Sequence, residues 1–433
     1  MDKGFCMEFK YKNVLIMGYG NSGKSMEKLL ISHKIKYSIY DEKLKLRGGQ
    51  FLSKINKKNI TAFDLVVLSP GFKQDNKVVL LAQKCGIKVI GEIELAYMFC
   101  PAKIIAVTGT DGKTTTVNLI HHILVCAGKK SALLGNVGTP FSDIYKKPVE
   151  YCVLELSSFQ LETVDKFVPT IGVILNISAD HMERYQTEND YIKAKLRMFK
   201  NATKQTEAVL NCEDKNTMEN SSMIVANKHY INREDGLHVV DGRLFYGKKR
   251  WLSLSAISPS PVFYDDILAA VEVAMLLKID NEVIQSALNS FVWLKHRMEV
   301  VKEMAGVKYI NDSKATNFHS ALSAIKAVKD NVVLLMGGHH KGMSVDEFFA
   351  DIKPLVKKIV FFGKEMKAEY KKAVKCGINC VCFKNLADAM LYIKANAQEG
   401  DNILFSPCYS SFDAYDSYEQ RGEDFVRLVN DEK

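Results

Sequence analysis

Short apolar runs alternate with amphipathic stretches along the chain, and the alternation recurs in three successive segments. Apolar runs of about four to eight residues predict strands, and apolar positions three or four residues apart predict helices. The segments open at Val14, near Cys100 and near His296, and only the stretch 211–265 is more polar and less regular. The pattern predicts an α/β protein with mainly parallel sheets covered by helices, and hairpins or loops over 211–265.

The first segment begins with VLIMGYGNSGKSMEKLL, an apolar strand followed by a Gly18-x-Gly20-x-x-Gly23 turn and an amphipathic helix. The next strand, KYSIYD, ends on Asp41, and a third, DLVVLSPG, brings Gly71 to the same edge. This pattern is typical of a dinucleotide-binding unit, in which an acidic residue after the second strand holds a ribose. A nicotinamide-dependent oxidoreductase is therefore an open alternative, although no catalytic set for hydride transfer follows.

The second segment begins with IIAVTGTDGKTTTVNL, which places a loop of glycine, threonine and lysine between a strand and a helix. Backbone amides from Gly109 to Thr114 converge at the helix N-terminus, where unpaired N–H groups and the helix dipole favour a polyphosphate. Lys113 adds a positive charge, and the Thr114 hydroxyl is a suitable Mg²⁺ ligand. A standard phosphate loop has a glycine where this chain has Val107, yet the order of strand, loop and helix still predicts an ATP site.

The domain boundaries are placed where one alternating segment gives way to the next. We expect a Rossmann-like N-terminal domain over 1–98, a central ATP-binding domain of the phosphate-loop type over 99–295, and a Rossmann-like C-terminal domain over 296–433. Ligands of such folds bind beside the carboxyl ends of the strands, so candidate site residues are sought where apolar runs end.

Charge and composition exclude several classes of protein. Lysine and arginine number 59 against 50 aspartates and glutamates, but the excess of +9 is scattered along the chain. This argues against a nucleic-acid site and suits an anionic substrate. The sequence has no signal-peptide pattern and no apolar run of about 18 residues. Its ten cysteines lack CxxC spacing, so we expect a cytoplasmic protein with reduced thiols and no membrane insertion.

Further polar residues follow apolar runs at the predicted ligand edge. Glu155 follows YCVL and is placed to reach a Mg²⁺ ion bound with a nucleotide. Asp180 and His181 follow VILNIS, although a single histidine is as often structural as functional. On its pattern alone, Lys195 is a solvated lysine on a helix. In the third segment, YINDSKATN and GGHHKG place polar residues and the cation Lys341 after strands.

Taken together, these motifs resemble the Mur ligases of bacterial peptidoglycan synthesis over essentially the whole chain. The resemblance is carried, in the family's order, by GTDGKT (109–114), GNVG (135–138), ELSSFQLE (155–162), DHMERY (180–185), AKLR (194–197), HRME (296–299), DSKATN (312–317) and YEQRG (418–422). The family's own loop is GTNGKT, so the shorter glycine pattern is normal for it. ELSSFQLE and DSKATN resemble the members that add D-glutamate, and GYGNSG is then the turn that holds a uridine diphosphate.

The resemblance implies an amide ligase that joins D-glutamate to UDP-N-acetylmuramoyl-L-alanine, using ATP and two Mg²⁺ sites, in cytoplasmic peptidoglycan precursor synthesis. The substrate carboxylate attacks the γ-phosphate, and the amine of the amino acid then displaces phosphate from the acyl phosphate. Because two anions must meet, the protein chiefly neutralises and aligns them. We expect a monomer whose third domain closes onto the second.

The resemblance also assigns roles to matching positions. Catalysis is assigned to Lys113, Glu155, His181, Lys195 and Arg297. ATP is assigned to Gly109, Thr110, Asp111, Gly112, Lys113, Thr114, Thr115, Arg297 and Asp312. The UDP-substrate is assigned to Asn21, Ser22, Asp41, Gly71, Asn136, Ser157, Gln160 and His181, and D-glutamate to Thr316, Lys341, Ser411, Phe412 and Tyr418. The Mg²⁺ ligands are Thr114, Glu155, His181 and Lys195, the last after carbamylation by CO₂.

Some positions depart from the family pattern. The family's HNxxNxxAA motif, whose asparagines help to hold adenine, corresponds to VFYDDILAA, so Phe263 and Asp266 replace the two asparagines. We expect Phe263 to stack on the base and Asp266 to accept a hydrogen bond from its amino group. The change leaves open a nucleotide-binding protein without turnover. Phe412 and Tyr418 replace residues that are commonly leucine and phenylalanine, which predicts a more tightly packed D-glutamate pocket.

Overall fold

The computed structural model describes residues 9–44, 48–146, 148–339 and 344–431, whose strands gather into three separate sheets. Each sheet is mainly parallel and packs between helices, which confirms the predicted three-domain α/β class. Among the described residues, no helix is both long enough and apolar enough to cross a membrane.

The N-terminal domain is built on a five-stranded parallel sheet. Its strands are β1 (Asn13–Met17), β2 (Lys36–Tyr40), β3 (Phe51–Leu52), β4 (Leu65–Leu68) and β5 (Lys88–Gly91), and its helices are α1 (Asn21–Ser32), α2 (Lys57–Ile60), α3 (Lys77–Lys84) and α4 (Glu92–Met98). The strand order is β3-β2-β1-β4-β5. Every residue of β4 is buried, as expected for a parallel strand with helices on both faces.

The central domain has a nine-stranded sheet. Its strands are β6 (Lys103–Thr108), β7 (Ser131–Gly135), β8 (Tyr151–Glu155), β9 (Ile171–Ile174), β10 (Glu207–Asn211), β11 (Asn227–Ile231), β12 (Leu237–Val240), β13 (Arg243–Tyr246) and β14 (Lys249–Ser253). Its helices are α5 (Lys113–Cys126), α6 (Ser158–Leu161), α7 (Glu188–Leu196), α8 (Lys215–Asn220), α9 (Tyr264–Leu276) and α10 (Asn281–Ser290). The order is β14-β13-β12-β11-β10-β9-β6-β8-β7. Strands β12 to β14 form an antiparallel meander at the edge, which confirms the predicted hairpins, whereas 215–231 contains a helix and a further parallel strand.

The C-terminal domain has a six-stranded sheet with one antiparallel edge. Its strands are β15 (Glu299–Met304), β16 (Val307–Asn311), β17 (Val332–Gly337), β18 (Val356–Phe362), β19 (Cys380–Phe383) and β20 (Asn402–Cys408), and its helices are α11 (Phe318–Val328), α12 (Asp346–Ile352), α13 (Lys367–Lys375), α14 (Leu386–Asn396) and α15 (Tyr418–Asn430). The order is β15-β16-β20-β17-β18-β19. The last strand in the chain, β20, thus lies in the middle of the sheet.

A buried carboxyl group lies where the N-terminal and central domains meet. Glu92, the first residue of α4, is 2% exposed, and its Oε1 accepts hydrogen bonds from the backbone and the hydroxyl of Ser142. Its Oε2 has no hydrogen-bond partner among the described residues. Burial raises the pKa of Glu92 from 4.5 to about 7, so this contact depends on a group that titrates near neutrality.

Candidate active site

Most of the predicted catalytic and ATP-binding residues line one cavity of about 360 Å³ between the central and C-terminal domains. They follow the carboxyl ends of strands in both sheets, as predicted. The predicted residues that the cavity brings together are Thr110, Asp111, Gly112, Lys113, Thr114, Thr115, Asn136, Glu155, Ser157, His181, Lys195, Arg297, Thr316 and Tyr418.

The predicted phosphate loop connects β6 to α5. The Lys113 ammonium donates to the carbonyl oxygens of Gly109 at 2.8 Å and Thr110 at 2.6 Å. Gly112 has a φ of +83°, and a Cβ atom at this position would lie 2.2 Å from the Asp266 Oδ1 atom. Only glycine fits there, because a side chain would both strain the backbone and collide with the carboxyl group.

Glu155 presents an unsatisfied oxygen to this cavity. The residue is 2% exposed, and its Oε1 accepts a hydrogen bond of 3.0 Å from the Asn136 amide. Its Oε2 is buried and has no hydrogen-bond partner among the described residues. An unpaired buried carboxylate oxygen is costly, so a cation is the natural complement. The Thr114 hydroxyl belongs to the same cavity, so this pair fits Mg²⁺.

The described residues contain no group of three histidine, cysteine, aspartate or glutamate side chains that forms a metal site by itself. Mg²⁺ often binds through one or two protein ligands together with substrate phosphates, so a Mg²⁺ site on Thr114 and Glu155 would be completed by a nucleotide.

Lys195 is buried, so the solvated position that its pattern alone favoured is wrong. Its side chain is 1% exposed, and its Nζ donates to the Gly109 carbonyl at 2.6 Å and lies 4.5 Å from the centre of the Tyr191 ring. Burial, reinforced by the nearby charge of Lys113, holds the pKa of Lys195 well below its usual 10.5. The amine therefore lies inside the cavity wall and not on the helix surface.

His181 lies between the first cavity and a second one. Its φ of +58° is an uncommon conformation for a residue other than glycine, and such strain is concentrated at functional sites. Its Nδ1 lies 3.2 Å from the Glu183 Oε1 atom, and its ring packs 4.8 Å from the ring of Phe159. His181 was predicted at the ligand edge of the sheet, and in the structure it lines both cavities.

Arg297 is held by unusual backbone on both sides. His296 and Met298 have φ values of +62° and +48°. The Arg297 guanidinium lies 3.7 Å from the Asp312 carboxylate and 3.3 Å from the Ser320 hydroxyl, and it lines the cavity.

Asp312, predicted to contact ATP, is fully buried behind Arg297 and does not line either cavity. Its carboxylate accepts hydrogen bonds from the Ser406 hydroxyl at 2.9 Å and the Met298 amide at 3.3 Å. Burial raises the pKa of Asp312 to about 6. The aspartate therefore orients Arg297, because its own oxygens face the core.

The second cavity, of about 920 Å³, opens from the first and shares Phe159, His181, Thr316 and Tyr418 with it. Ser411 and Phe412, both predicted to bind the incoming amino acid, also line it. Phe412 is 74% exposed and does not close the pocket tightly. Lys341 lies outside the described residues.

Two basic residues without an assigned role lie in or next to the site. Lys314 lines the first cavity and lies 5.5 Å from the centre of the Tyr418 ring, and burial lowers its pKa to about 8. Arg421 is fully buried and donates to the Ser313 hydroxyl and to the carbonyls of Ser313, Tyr409 and Gly337. Lys314 belongs to the motif DSKATN and Arg421 to YEQRG, and membership of these motifs is the sequence signal that could have identified them.

The residues predicted to bind the uridine diphosphate lie in the N-terminal domain, away from both cavities. Asn21 and Ser22 begin α1, and Gly71 follows β4. The Asp41 carboxylate accepts a hydrogen bond of 2.8 Å from the Tyr19 amide and so fastens the glycine turn. Gln160, predicted to bind the same substrate, is buried, and its side chain caps α6 by accepting from the Ser157 amide at 3.0 Å. It does not line either cavity.

Arg184 connects this N-terminal edge to the His181 loop. Its guanidinium donates twice to Glu162, at 2.9 and 2.7 Å, and also to the carbonyls of Pro70 and Phe72 at 3.4 and 3.3 Å. The two carbonyls flank Gly71. One side chain therefore links the loop around Gly71, which is assigned to the UDP-substrate, to the loop that bears His181.

The expected contacts of Phe263 and Asp266 with adenine are wrong in this structure. Phe263 is 1% exposed and packs 4.6 Å from the Trp293 ring within the apolar core of the C-terminal domain. Asp266 is 3% exposed and accepts a hydrogen bond of 2.9 Å from the Thr116 hydroxyl beneath the phosphate loop. Burial of an apolar ring in a core removes more apolar surface from water than a solvated nucleotide pocket would, which explains the position of Phe263. Burial raises the pKa of Asp266 to about 8.

Comparison with known proteins matches three domain models to successive parts of the chain. Family models match in succession: the N-terminal domain of MurD-like Mur ligases over 12–91, the Mur ligase middle domain over 107–241 and the Mur ligase glutamate ligase domain over 296–409. A relative from Caldicellulosiruptor bescii, named UDP-N-acetylmuramoylalanine--D-glutamate ligase, is 35% identical over 451 residues, covering 98% of this chain and 99% of the relative. A relative of the same name from Caldanaerobacter subterraneus subsp. tengcongensis is 33% identical over 447 residues, with the same coverage.

Solved structures share the architecture at lower identity. UDP-N-acetylmuramate-alanine ligase MurC from Thermotoga maritima has a TM-score of 0.61 at 17% identity, covering 98% of this chain and 100% of that one. MurF ligase from the same organism, in complex with ADP, has a TM-score of 0.61 at 15% identity, with coverages of 97% and 95%. At these identities the likeness establishes the fold. Together with the nearly full-length relatives and the three successive domain models, it shows that the chain belongs to the Mur ligase family.

Proposed function

We propose that this chain is an ATP-dependent amide ligase that joins D-glutamate to UDP-N-acetylmuramoyl-L-alanine. The observation that carries the proposal is the single cavity in which the phosphate loop, Glu155, Lys195 and Arg297 converge, opening into a second cavity beside Thr316. The names of the full-length relatives support D-glutamate as the amino acid. Cytoplasmic location and a monomeric state stay predictions.

The proposed reaction proceeds in two balanced steps. A carboxylate oxygen of the alanyl substrate attacks the γ-phosphorus of ATP, so the bond to the bridging oxygen breaks and ADP leaves. The amine of D-glutamate then attacks the acyl carbon of the acyl phosphate, and inorganic phosphate leaves as the amide forms and the amine loses a proton. In both steps the barrier arises mainly from bringing anions together, so alignment and neutralisation by fixed cations lower it.

The chain's own residues divide this work between them. Lys113 and the backbone of residues 109–115 hold the polyphosphate, and Arg297 neutralises charge from the side of the C-terminal domain. Thr114 and Glu155 would hold Mg²⁺, which supplies Lewis-acid neutralisation of the phosphates when bound. His181 lines both cavities, which supports a role for it beside the substrate carboxylate, whose acyl carbon reacts in both steps. Thr316, Ser411 and Tyr418 border the space for the amino acid.

Carbamylation of Lys195 is part of the proposal. A neutral amine attacks CO₂ and loses a proton, which gives a carbamate with the charge of a carboxylate. The burial of Lys195 beside Lys113 favours the neutral amine, and its position among Glu155 and His181 in the cavity suits a second Mg²⁺ ligand. Labelling with carbon-13 bicarbonate should give a carbamate resonance that is absent from the Lys195→Ala variant, and an unlabelled wild-type protein would refute this part.

The function is tested by phosphate release from Mg²⁺-ATP and UDP-N-acetylmuramoyl-L-alanine with D-glutamate, L-glutamate, D-aspartate or no amino acid. Release that depends on D-glutamate would support both reaction and specificity. Lys113→Ala should lose turnover, whereas Lys129→Ala, an exposed lysine just beyond α5, should behave like wild type. Release without an amino-acid requirement, or equal rates for the two variants, would contradict the proposal.

A further inference from the structure

A carboxylate stands in the loop that must bind a polyphosphate. Asp111 occupies the third position of GTDGKT and lines the cavity beside Lys113 and Thr114. A negative side chain at this place opposes the binding of a polyanion, since like charges a few ångströms apart repel strongly in a partly buried site. The loop therefore needs a counter-charge for Asp111 whenever a nucleotide is present.

That counter-charge comes from another domain. The Asp111 Oδ1 accepts from the Asn317 amide at 3.1 Å and from the Ser320 hydroxyl at 2.5 Å, and its Oδ2 accepts from the His319 Nδ1 at 2.7 Å. All three donors stand at the start of α11 in the C-terminal domain. The phosphate loop and the C-terminal domain are thus joined through one carboxylate.

The start of α11 is organised for this contact. Asn317 caps the helix, and its Oδ1 accepts from the Ser320 amide at 2.8 Å, which leaves its amide N–H groups for Asp111. The Ser320 hydroxyl, which donates to Asp111, also accepts from Arg297 at 3.3 Å. The positive end of the helix dipole faces the same carboxylate. These groups are bonded to one another and belong to the C-terminal domain, so a movement of that domain would carry them away from Asp111 together.

The charges on the pair favour an ion pair. Burial alone would raise the pKa of Asp111, but its hydrogen bond with His319 and the charges of His319 and Arg297 lower it. The same hydrogen bond raises the pKa of His319 above 6.5, against the effect of burial. The other charged groups that act on His319 are Asp214, which favours the cation, and Arg297, which opposes it. The imidazole is 44% exposed, so protons reach it from solvent.

We propose that Asp111 and His319 form a charge clasp that makes the affinity for the nucleotide polyphosphate depend on docking of the C-terminal domain. With the domain undocked, the free carboxylate weakens binding to the loop; with the domain docked, His319 neutralises it. Because such coupling is reciprocal, a bound nucleotide favours docking by the same factor. Both are positioning residues in this proposal, which rests on the ligase function proposed above.

The test is a double-mutant cycle on the full chain, with Mg²⁺-ADP binding measured by calorimetry and ATP kinetics measured by phosphate release. His319→Ala should raise the Kd for Mg²⁺-ADP about tenfold and raise the KM for ATP, with little change in kcat at saturating ATP. In an Asp111→Asn background, the same His319→Ala change should have less than about a twofold effect, because the repulsion is already gone. His238→Ala, a histidine on β12 outside the site, is the matched control and should match wild type.

Two further measurements separate the charge from the shape of the side chain. His319→Lys keeps a cation and should recover most of the affinity that His319→Ala loses. In wild type, the affinity advantage over His319→Ala should be full below about pH 6.5 and should disappear as pH rises through the raised pKa of His319. Taking the ratio between variants removes the titration of the nucleotide itself.

The outcomes distinguish this inference from the function on which it rests. Wild type that neither binds Mg²⁺-ADP nor releases phosphate would refute the ligase function. Wild type that does both would leave the clasp to be judged alone. The clasp is refuted if His319→Ala weakens binding by the same factor with and without the Asp111→Asn change, or if His319→Lys binds as weakly as His319→Ala. A pH-independent ratio would refute it as well.

Discussion

Replacing Arg421 by lysine is expected to loosen the loops that border the amino-acid side of the site. The guanidinium spans the Ser313 hydroxyl at 3.1 Å and the carbonyls of Ser313, Tyr409 and Gly337 at 2.8, 2.9 and 3.4 Å. We expect the single ammonium of the shorter lysine side chain to reach at most two of the four acceptors, so that two lose their donor. At about 1.5 kcal/mol for each unpaired buried acceptor, the cost is about 3 kcal/mol.

Hydrogen-exchange mass spectrometry measures this locally, which suits a chain of three domains that need not unfold together. Peptides over 312–317 and 404–411 should exchange about a hundredfold faster in Arg421→Lys, since about 1.4 kcal/mol corresponds to tenfold. The KM for D-glutamate should rise, because Thr316 and Ser411 lie in these peptides. Arg427→Lys is the control: this arginine lies on the same helix and pairs with Asp424 and Asp431 at the surface, where such pairs contribute little.

Equal exchange rates for Arg421→Lys and Arg427→Lys would refute the argument. They would mean that the four acceptors find other partners, and that the loops are held by packing alone. A rise in the KM for D-glutamate without faster exchange would instead assign the effect of Arg421 to the geometry of its hydrogen bonds and not to loop rigidity, because lysine keeps the charge.

Three further changes test other contacts. Gly112→Ala should raise the KM for ATP at least about tenfold, because backbone strain and the collision with Asp266 together cost about 2 kcal/mol. Gly128→Ala is the control, since Gly128 also has a positive φ but lies in open space; equal effects of the two changes would exclude the collision with Asp266. The pKa of Glu92 is raised from 4.5 to about 7, so the folded chain holds this proton more tightly and its stability falls as pH rises between these values. Glu92→Gln should therefore raise the melting temperature at pH 8, by an amount equivalent to at most ~3 kcal/mol of stability, and leave it unchanged at pH 4. A higher melting temperature at both pH values would point to packing. Phe263→Ala should cost about 3–5 kcal/mol in the urea transition reported by Trp293 in a Trp251→Phe background, which leaves Trp293 as the single tryptophan. The ratio of ATP to GTP turnover should stay unchanged, and a shifted ratio would restore the base-stacking hypothesis.

The parts of the fold that depend on local pattern were predictable from sequence. The phosphate loop is the clearest case, because an apolar strand, a glycine-containing loop and a helix beginning at Lys113 are contiguous in the chain. Strand order was not predictable in this way, since the central position of β20 depends on which apolar faces pack together after the chain has collapsed. The phosphate loop was predictable because its residues are adjacent in the chain, whereas the order of strands depends on contacts between residues far apart in the chain.

The direction in which a side chain points was the main source of error in the site. Asp312 stands in a recognised motif and still faces the core behind Arg297. Lys195 has the pattern of an exposed residue but is buried, because it lies on the side of α7 that packs inward with Tyr191 and Ile192. Phe263 stands at a position matched to an adenine-binding asparagine of the family, but its ring packs against Trp293 in the core. Each depends on partners distant in sequence, which no local pattern contains.

The hydrogen bonds of the Arg184 guanidinium to Glu162, Pro70 and Phe72 have a consequence for the proposed substrate. It fixes the turn around Gly71 to the loop of His181, so the two ends of the proposed substrate site are held at a set separation. A molecule anchored by its nucleotide at one end must then have the right length to present a carboxylate at the other. On the proposed function, this fixed separation would select substrates by length, and we expect a precursor one residue shorter or longer to place its carboxylate away from the phosphate loop.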